Sequence, residues 1–104
     1  GIKAFLKMHP EIDAIFFATN YLAIQGLKVL QELKWKIPSR VGVLSFDDHE
    51  IFKLYTPAIT SINQPIAEIA REGVEILRLQ MNGKGESQKH GTLLKAEVSL
   101  RKSL

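Results

Sequence analysis

No cysteine occurs in the 104 residues, which excludes a disulfide framework and any thiolate metal site. That fits a reducing compartment. No uninterrupted run of 18 apolar residues is present, so no helical membrane span is expected. Gly-x-Ser-x-Gly, a Gly-x-Gly-x-x-Gly after a strand, and the P-loop pattern are all missing, which removes the usual signatures of hydrolases, dinucleotide-binding enzymes and nucleoside triphosphatases. The nearest approach, Gly83-Lys84-Gly85, follows a helical pattern instead of preceding one and reads as a loop. His49 with Asp47 and Asp48 offers three ligand types, but such tight local spacing works against convergence on one ion; His9 and His90 fall in turns. No metal, cofactor or enzymatic activity is therefore expected. A concentrated basic face is lacking too. Net charge is +3, from 14 Lys and Arg against 11 Asp and Glu, with only small local excesses at Lys34/Lys36 and Arg101/Lys102. Nucleic-acid recognition concentrates positive charge on one face or helix, so these read as solvated lysines and arginines.

What is present is an ordinary globular composition, 45% hydrophobic and 24% charged, in a chain long enough for one core; a domain of this size buries roughly 65% of its unfolded surface. The opening residues, Gly1-Ile-Lys-Ala-Phe-Leu-Lys, are too short before the first proline to form a secretory signal. They read as the middle of a helix, hence as a truncation, and His9-Pro10 stops that helix.

Two stretches share one design. Asp13-Ala-Ile-Phe-Phe-Ala-Thr-Asn20 and Val41-Gly-Val-Leu-Ser-Phe-Asp-Asp48 are apolar runs of strand character that end abruptly in polar side chains. The first, with phenylalanines at 16 and 17, suits a strand buried on both faces of a parallel sheet. Between them, apolar positions 22, 26, 27, 30 and 33 recur at helical spacing, with Asn20 able to cap the helix. Gly26 inside that helix costs about 1 kcal/mol relative to alanine, which points to close packing. Trp35, in the return loop, reads as a cover over the sheet edge. The result is a strand–helix–strand unit.

Residues 49–55 fit one or two helical turns. Residues 58–63, Ala-Ile-Thr-Ser-Ile-Asn, fit a short extended segment that is not fully buried. Pro65 opens a further helix with an apolar stripe at 66, 69, 70, 73, 74, 77 and 81, closed by Asn82-Gly83. Residues 83–91 are polar, and 92–102 read as one strand or two short ones. The fold class is α/β: an open, mainly parallel sheet with flanking helices and few strands.

In open α/β sheets ligands bind beyond the carboxyl ends of the strands. Asn20 offers a donor and an acceptor there, and Asp47 offers strong acceptors, a combination suited to hydroxyl-rich ligands such as sugars or nucleosides. As helix caps alone, the same residues would serve structure only. Asp47 and Asp48 point oppositely on an extended backbone, so they do not form a proton-sharing pair. The expected division is Asp47 towards the cleft and Asp48 capping the turn that follows.

Taken together, Asp13 to Asn20, Gly26, Ile37-Pro38, Val41 to Asp48, Thr56-Pro57-Ala-Ile-Thr-Ser-Ile-Asn-Gln-Pro65 and the helix containing Gly73 resemble the lac repressor (LacI) family of bacterial transcriptional regulators. The resemblance covers essentially the whole chain. It implies the C-terminal part of an effector-binding core with a two-lobed, periplasmic-binding-protein-like fold (type I). Residues 1–62 would be the C-terminal part of the second lobe. Residues 63–91 would be a helix and loop of the first, and 92–104 strands returning towards the second. It further implies that Asn20 and Asp47 bind the effector and that Gln25, Ile51 and Tyr55 lie on a homodimer surface. Thr60, Ser61, Asn63 and Gln64 would carry the crossing between lobes. DNA would be bound only through an N-terminal helix-turn-helix domain absent from this chain, in the cytoplasm. Two positions depart from the family: Tyr21 stands where Asp is usual, and Ser45 where Gly is usual. The competing reading is a periplasmic sugar-binding protein of an ABC transporter.

Overall fold

The computed structural model describes residues 1–83 and 91–104. The expected turn at His90 and part of the polar 83–91 loop, including most of Gly83-Lys84-Gly85, lie outside the described residues. Among the described residues, eight elements follow in order: α1 (Ile2–Met8), β1 (Ala14–Phe17), α2 (Asn20–Glu32), β2 (Gly42–Phe46), α3 (Glu50–Leu54), β3 (Thr60–Asn63), α4 (Ile66–Met81) and β4 (Glu97–Ser99). The four strands form one sheet in the order β1-β2-β3-β4, with β1, β2 and β3 parallel.

The chain divides into two compact units, the first of Gly1–Asn63 with Val98–Leu104 and the second of Gln64–Glu97. The first unit holds the core: Leu6, Phe17, Ala23, Leu27, Leu30, Val41, Val43, Phe52 and Ile59 are buried together. Register fixes which side chains meet. Ile15 pairs with Val43 and Phe17 with Ser45 on one face, while Ala14 pairs with Gly42 and Phe16 with Leu44 on the other. Helix α2 packs on the first of these faces; a Cβ at Gly26 would overlap the Phe17 ring, so the close approach anticipated at this glycine is present. Its C-terminus closes as a Schellman motif, with Lys34 left-handed (φ 58°) and the Trp35 N–H returning to the Leu30 carbonyl at 2.9 Å.

Three expectations need correction. Strand β1 is not buried on both faces: Phe17 is buried, but Ala14 and Phe16 are exposed, because among the described residues that face of β1 is left uncovered. The buried face of α2 is Ala23, Gly26, Leu27 and Leu30, with Leu22 turned outwards. Strand β3 is more deeply buried than its polar sequence implied, since Ile59, Thr60 and Ser61 are fully enclosed. Trp35, expected as a cover over the sheet edge, is half-buried against the core and stacks under the Arg40 guanidinium, 3.9 Å from its ring centre. Arg40 in turn donates to the carbonyls of Ile12, at 2.7 Å, and Pro10.

In the second unit, α4 has the anticipated apolar stripe but buries none of its residues; Ile66, Ile69, Val74, Leu77 and Met81 are all exposed. Among the described residues no helix is long and apolar enough to cross a membrane.

Candidate functional site

Parallel strands place their carboxyl ends side by side, and here that brings Asn20, after β1, next to the 46–48 turn after β2. Asn20 does not cap α2. Thr19 does, its Oγ1 accepting from the Leu22 N–H at 3.1 Å. This leaves the Asn20 amide to reach across the sheet, where Nδ2 donates to the Asp48 carbonyl at 3.0 Å. The two strand ends named from sequence are thus joined directly.

Asp47 is half-buried and left-handed, with φ 68°. Aspartate tolerates this region better than most residues, at a cost of about 1–2 kcal/mol, and such residues cluster at ligand sites. The geometry is held by two hydrogen bonds: the Asp47 N–H donates to the Ile62 carbonyl at 2.9 Å, and the Ser45 hydroxyl donates to the Asp47 carbonyl at 3.1 Å. Extended backbone therefore ends at Phe46, and the expected simple alternation of two carboxylates does not apply.

Asp48 is not the cap of α3. His49 fills that role, its Nδ1 accepting from the Ile51 N–H at 3.1 Å. The Asp48 carboxylate instead forms a two-pronged pair with Arg101, at 2.8 Å (Nη1–Oδ1) and 2.7 Å (Nη2–Oδ2). Both side chains are mostly shielded from water, Arg101 at 15% and Asp48 at 25% exposure. Arg101 also donates to the Ile59 carbonyl at 2.7 Å and approaches the Ser61 hydroxyl at 3.4 Å. This is the residue that sequence reasoning missed: it appeared only as part of a small basic excess.

The Arg101 guanidinium holds the Asp48 carboxyl well below the usual carboxylate range, against a smaller opposing effect of burial, and the Arg101 pKa is raised in return. An aspartate in an unfolded chain titrates near pH 3.9 (roughly). The pair therefore contributes fully above that value, and its contribution is lost as pH falls below it towards the depressed folded value. Asp48→Asn is expected to cost about 1–3 kcal/mol at neutral pH. In urea unfolding, the gap from wild type should stay constant between about pH 8 and 5 and narrow below about pH 4. A gap independent of pH throughout would refute the assignment.

Of the crossing residues, Thr60 and Ser61 are buried and Asn63 is half-buried, with Asn63 Nδ2 donating to the Ser99 hydroxyl at 2.6 Å. The chain passes between its units at Asn63 and Gln64 and again at Glu97 and Val98. Gln25 and Tyr55 are half-buried and Ile51 is exposed. Tyr21 is exposed, and Ser45 is fully buried. Among the described residues no group of three metal-ligating side chains converges.

A parallel sheet with hydrogen-bonding side chains gathered at its carboxyl edge has the form of a ligand-binding α/β lobe. The sequence matches the periplasmic binding protein-like domain family over residues 2–104, and the chain belongs to that family. Similar proteins are regulators of the lac repressor type, as the sequence resemblance indicated. The HTH-type transcriptional regulator KdgR of Bacillus subtilis is 36% identical over 106 residues, covering 99% of this chain and 30% of that protein. A LacI family transcriptional regulator from Arthrobacter sp. FB24, solved in complex with lactose, superposes with a TM-score of 0.81 at 30% identity, covering 98% of this chain and 38% of that one. The transcriptional regulator CelR in its cellobiose complex gives a TM-score of 0.85 at 28% identity, with 98% and 31% covered. The chain thus spans about a third of the length of these relatives. They support the regulator reading and not the transport protein.

Proposed function

We propose that this chain is the effector-binding and dimer-forming part of a bacterial DNA-binding transcriptional regulator that responds to a sugar or similar small polar metabolite. The observation that carries this reading is the pairing of Asn20 and the Asp47 turn at neighbouring strand ends, joined through the Asp48 carbonyl. Lactose and cellobiose in the structures of similar regulators support the choice of ligand class. The working unit is a homodimer in the cytoplasm, with DNA bound through a helix-turn-helix domain outside these residues. Residues 1–62 belong to the second lobe, 63–91 to the first, and 92–104 return towards the second. The exposed apolar stripe of α4 is then the surface that the rest of the first lobe covers.

In this reading Asp47 accepts hydrogen bonds from effector hydroxyls, and Asn20 contributes a contact while fixing the neighbouring turn. Effector binding favours one lobe orientation, which shifts the population of DNA-competent dimers. The shift equals the effector's differential affinity for the two orientations, not its total affinity.

Calorimetric titration of the full-length regulator with cellobiose, lactose and a panel of nucleosides tests the site. Asp47→Ala is expected to weaken effector binding about 10- to 100-fold, the size of one or two hydrogen bonds to a charged group. Unchanged affinity would reduce Asp47 to a structural residue. The dimer surface on α2 and α3 has its own test. Ile51→Glu combined with Tyr55→Glu is expected to convert the full-length dimer to monomer in sedimentation velocity, since buried unpaired carboxylates are costly. A dimer that persists at micromolar concentration would move the interface elsewhere.

A further inference from the structure

We propose that Arg101 is a positioning residue that fastens the effector turn at Asp47 and Asp48 to the two segments through which the chain leaves and re-enters its first unit. The inference rests on the reading of Asp47 as an effector contact and adds how that contact is held and what it is coupled to.

Asp48 is gripped from both sides. Its carbonyl accepts from Asn20, and its carboxylate accepts from both arms of the Arg101 fork. The same guanidinium donates to the Ile59 carbonyl, and the Arg101 backbone N–H donates to the Thr60 hydroxyl at 3.0 Å. Arg101 is therefore tied by side chain and main chain to β3, just before the chain leaves the unit at Asn63, and it lies just after re-entry at Val98. Asn63 and Ser99 close the arrangement with their own hydrogen bond. A twist in either crossing segment is delivered through a rigid planar fork to Asp48, and so to Asp47 beside it. Linkage makes the influence mutual: an effector on Asp47 biases the crossing segments by the same free energy with which they bias it. Lysine cannot substitute, because a single ammonium does not reproduce the planar two-pronged contact while also serving a carbonyl.

The test uses the full-length regulator with Arg101→Lys, Asp48→Asn and the double variant, read by hydrogen exchange without effector. Exchange at residues 44–50, which include the Asp47 amide, is expected to accelerate about tenfold in each single variant, because one local clamp is lost. No further acceleration is expected in the double variant, since the partners act as one unit. Peptides from α2 should lose only the protection that the lower global stability removes, and the acceleration at residues 44–50 should exceed theirs. Unchanged exchange at 44–50, or equal acceleration everywhere, would overturn the proposal, the second result marking a merely structural role. Asp48→Asn, nearly identical in shape, decides the matter if Arg101→Lys fails to fold.

Titration with cellobiose and lactose supplies the second arm. Where wild type binds and Asp47→Ala weakens binding, Arg101→Lys should weaken it about tenfold, the loss of roughly one charged hydrogen bond. Wild-type affinity in Arg101→Lys would overturn the coupling while leaving the Asp47 reading intact. Affinity unaffected by Asp47→Ala would overturn both. If wild type binds neither sugar, the exchange data decide.

Discussion

Gly26→Ala is expected to destabilise the chain by about 1–3 kcal/mol, the range for overpacking a filled core, measured by urea unfolding. Helix propensity alone predicts the opposite sign, a gain of about 1 kcal/mol for removing a mid-helix glycine. Geometry decides between them. An added Cβ would lie 2.1 Å from Phe17 Cζ and 2.4 Å from its Cε1, and the Phe17 ring is itself buried beneath α2. Retreat of the ring would push into β2 or separate helix from sheet, and either loses packing over several side chains. Gly73 supplies the control in this chain by itself, where nothing lies within 4 Å of its Cβ position. Gly73→Ala should gain up to about 1 kcal/mol. Matching gains at both positions would show that Phe17 has room the structure does not display.

Ser103→Ala should cost more, about 2–4 kcal/mol, because it strands two buried main-chain groups at about 1–3 kcal/mol each. Strands β2 and β3 are in register from Leu44 and Thr60 onwards. One step earlier they separate, and the fully buried Ser103 hydroxyl fills the gap. It donates to the Val43 carbonyl at 2.6 Å and accepts from the Thr60 N–H at 2.8 Å, while the Ser103 carbonyl accepts from the Val43 N–H at 2.8 Å. Alanine removes the hydroxyl at a position closed to solvent. The exposed Ser39→Ala is the control, with no change expected beyond about 0.5 kcal/mol. A loss under about 1 kcal/mol for Ser103→Ala would mean that the strands close the gap themselves.

The parts of the fold legible in the sequence are those encoded by neighbours. Residues 14–17 and 42–46 announce themselves as strands by apolar runs, α2 by its period, and Gly26 by being an expensive residue in a helix. The carboxyl-edge location of Asn20 and Asp47 follows from the same pattern. What escaped is encoded at long range. Nothing near Asp48 announces that its partner is Arg101, 53 residues on, so the carboxylate was given the nearest local task, a cap that His49 performs. Thr60 and Ser61 look like surface residues because their hydroxyls are polar, yet each is satisfied inside the sheet by groups from the C-terminal segment. Phe16 misled in the other direction. A phenylalanine in an apolar run reads as core, but burial depends on what lies over that face.

The reach of Arg101 and Ser103 also bears on synthesis. The ribosome releases chain at about 5–20 residues per second. Strands β1 and β2 can pair soon after they emerge, since their contacts are formed within the first half of the chain. The Asp48 clamp and the Val43–Ser103 bond span 53 and 60 residues, so they wait several seconds longer at that rate. During that interval the sheet exists while the turn that bears Asp47 lacks its Arg101 clamp and the gap between β2 and β3 stands open. The turn that bears Asp47 therefore reaches its clamped geometry, and the β2–β3 gap closes, only after residues 101–103 have been delivered.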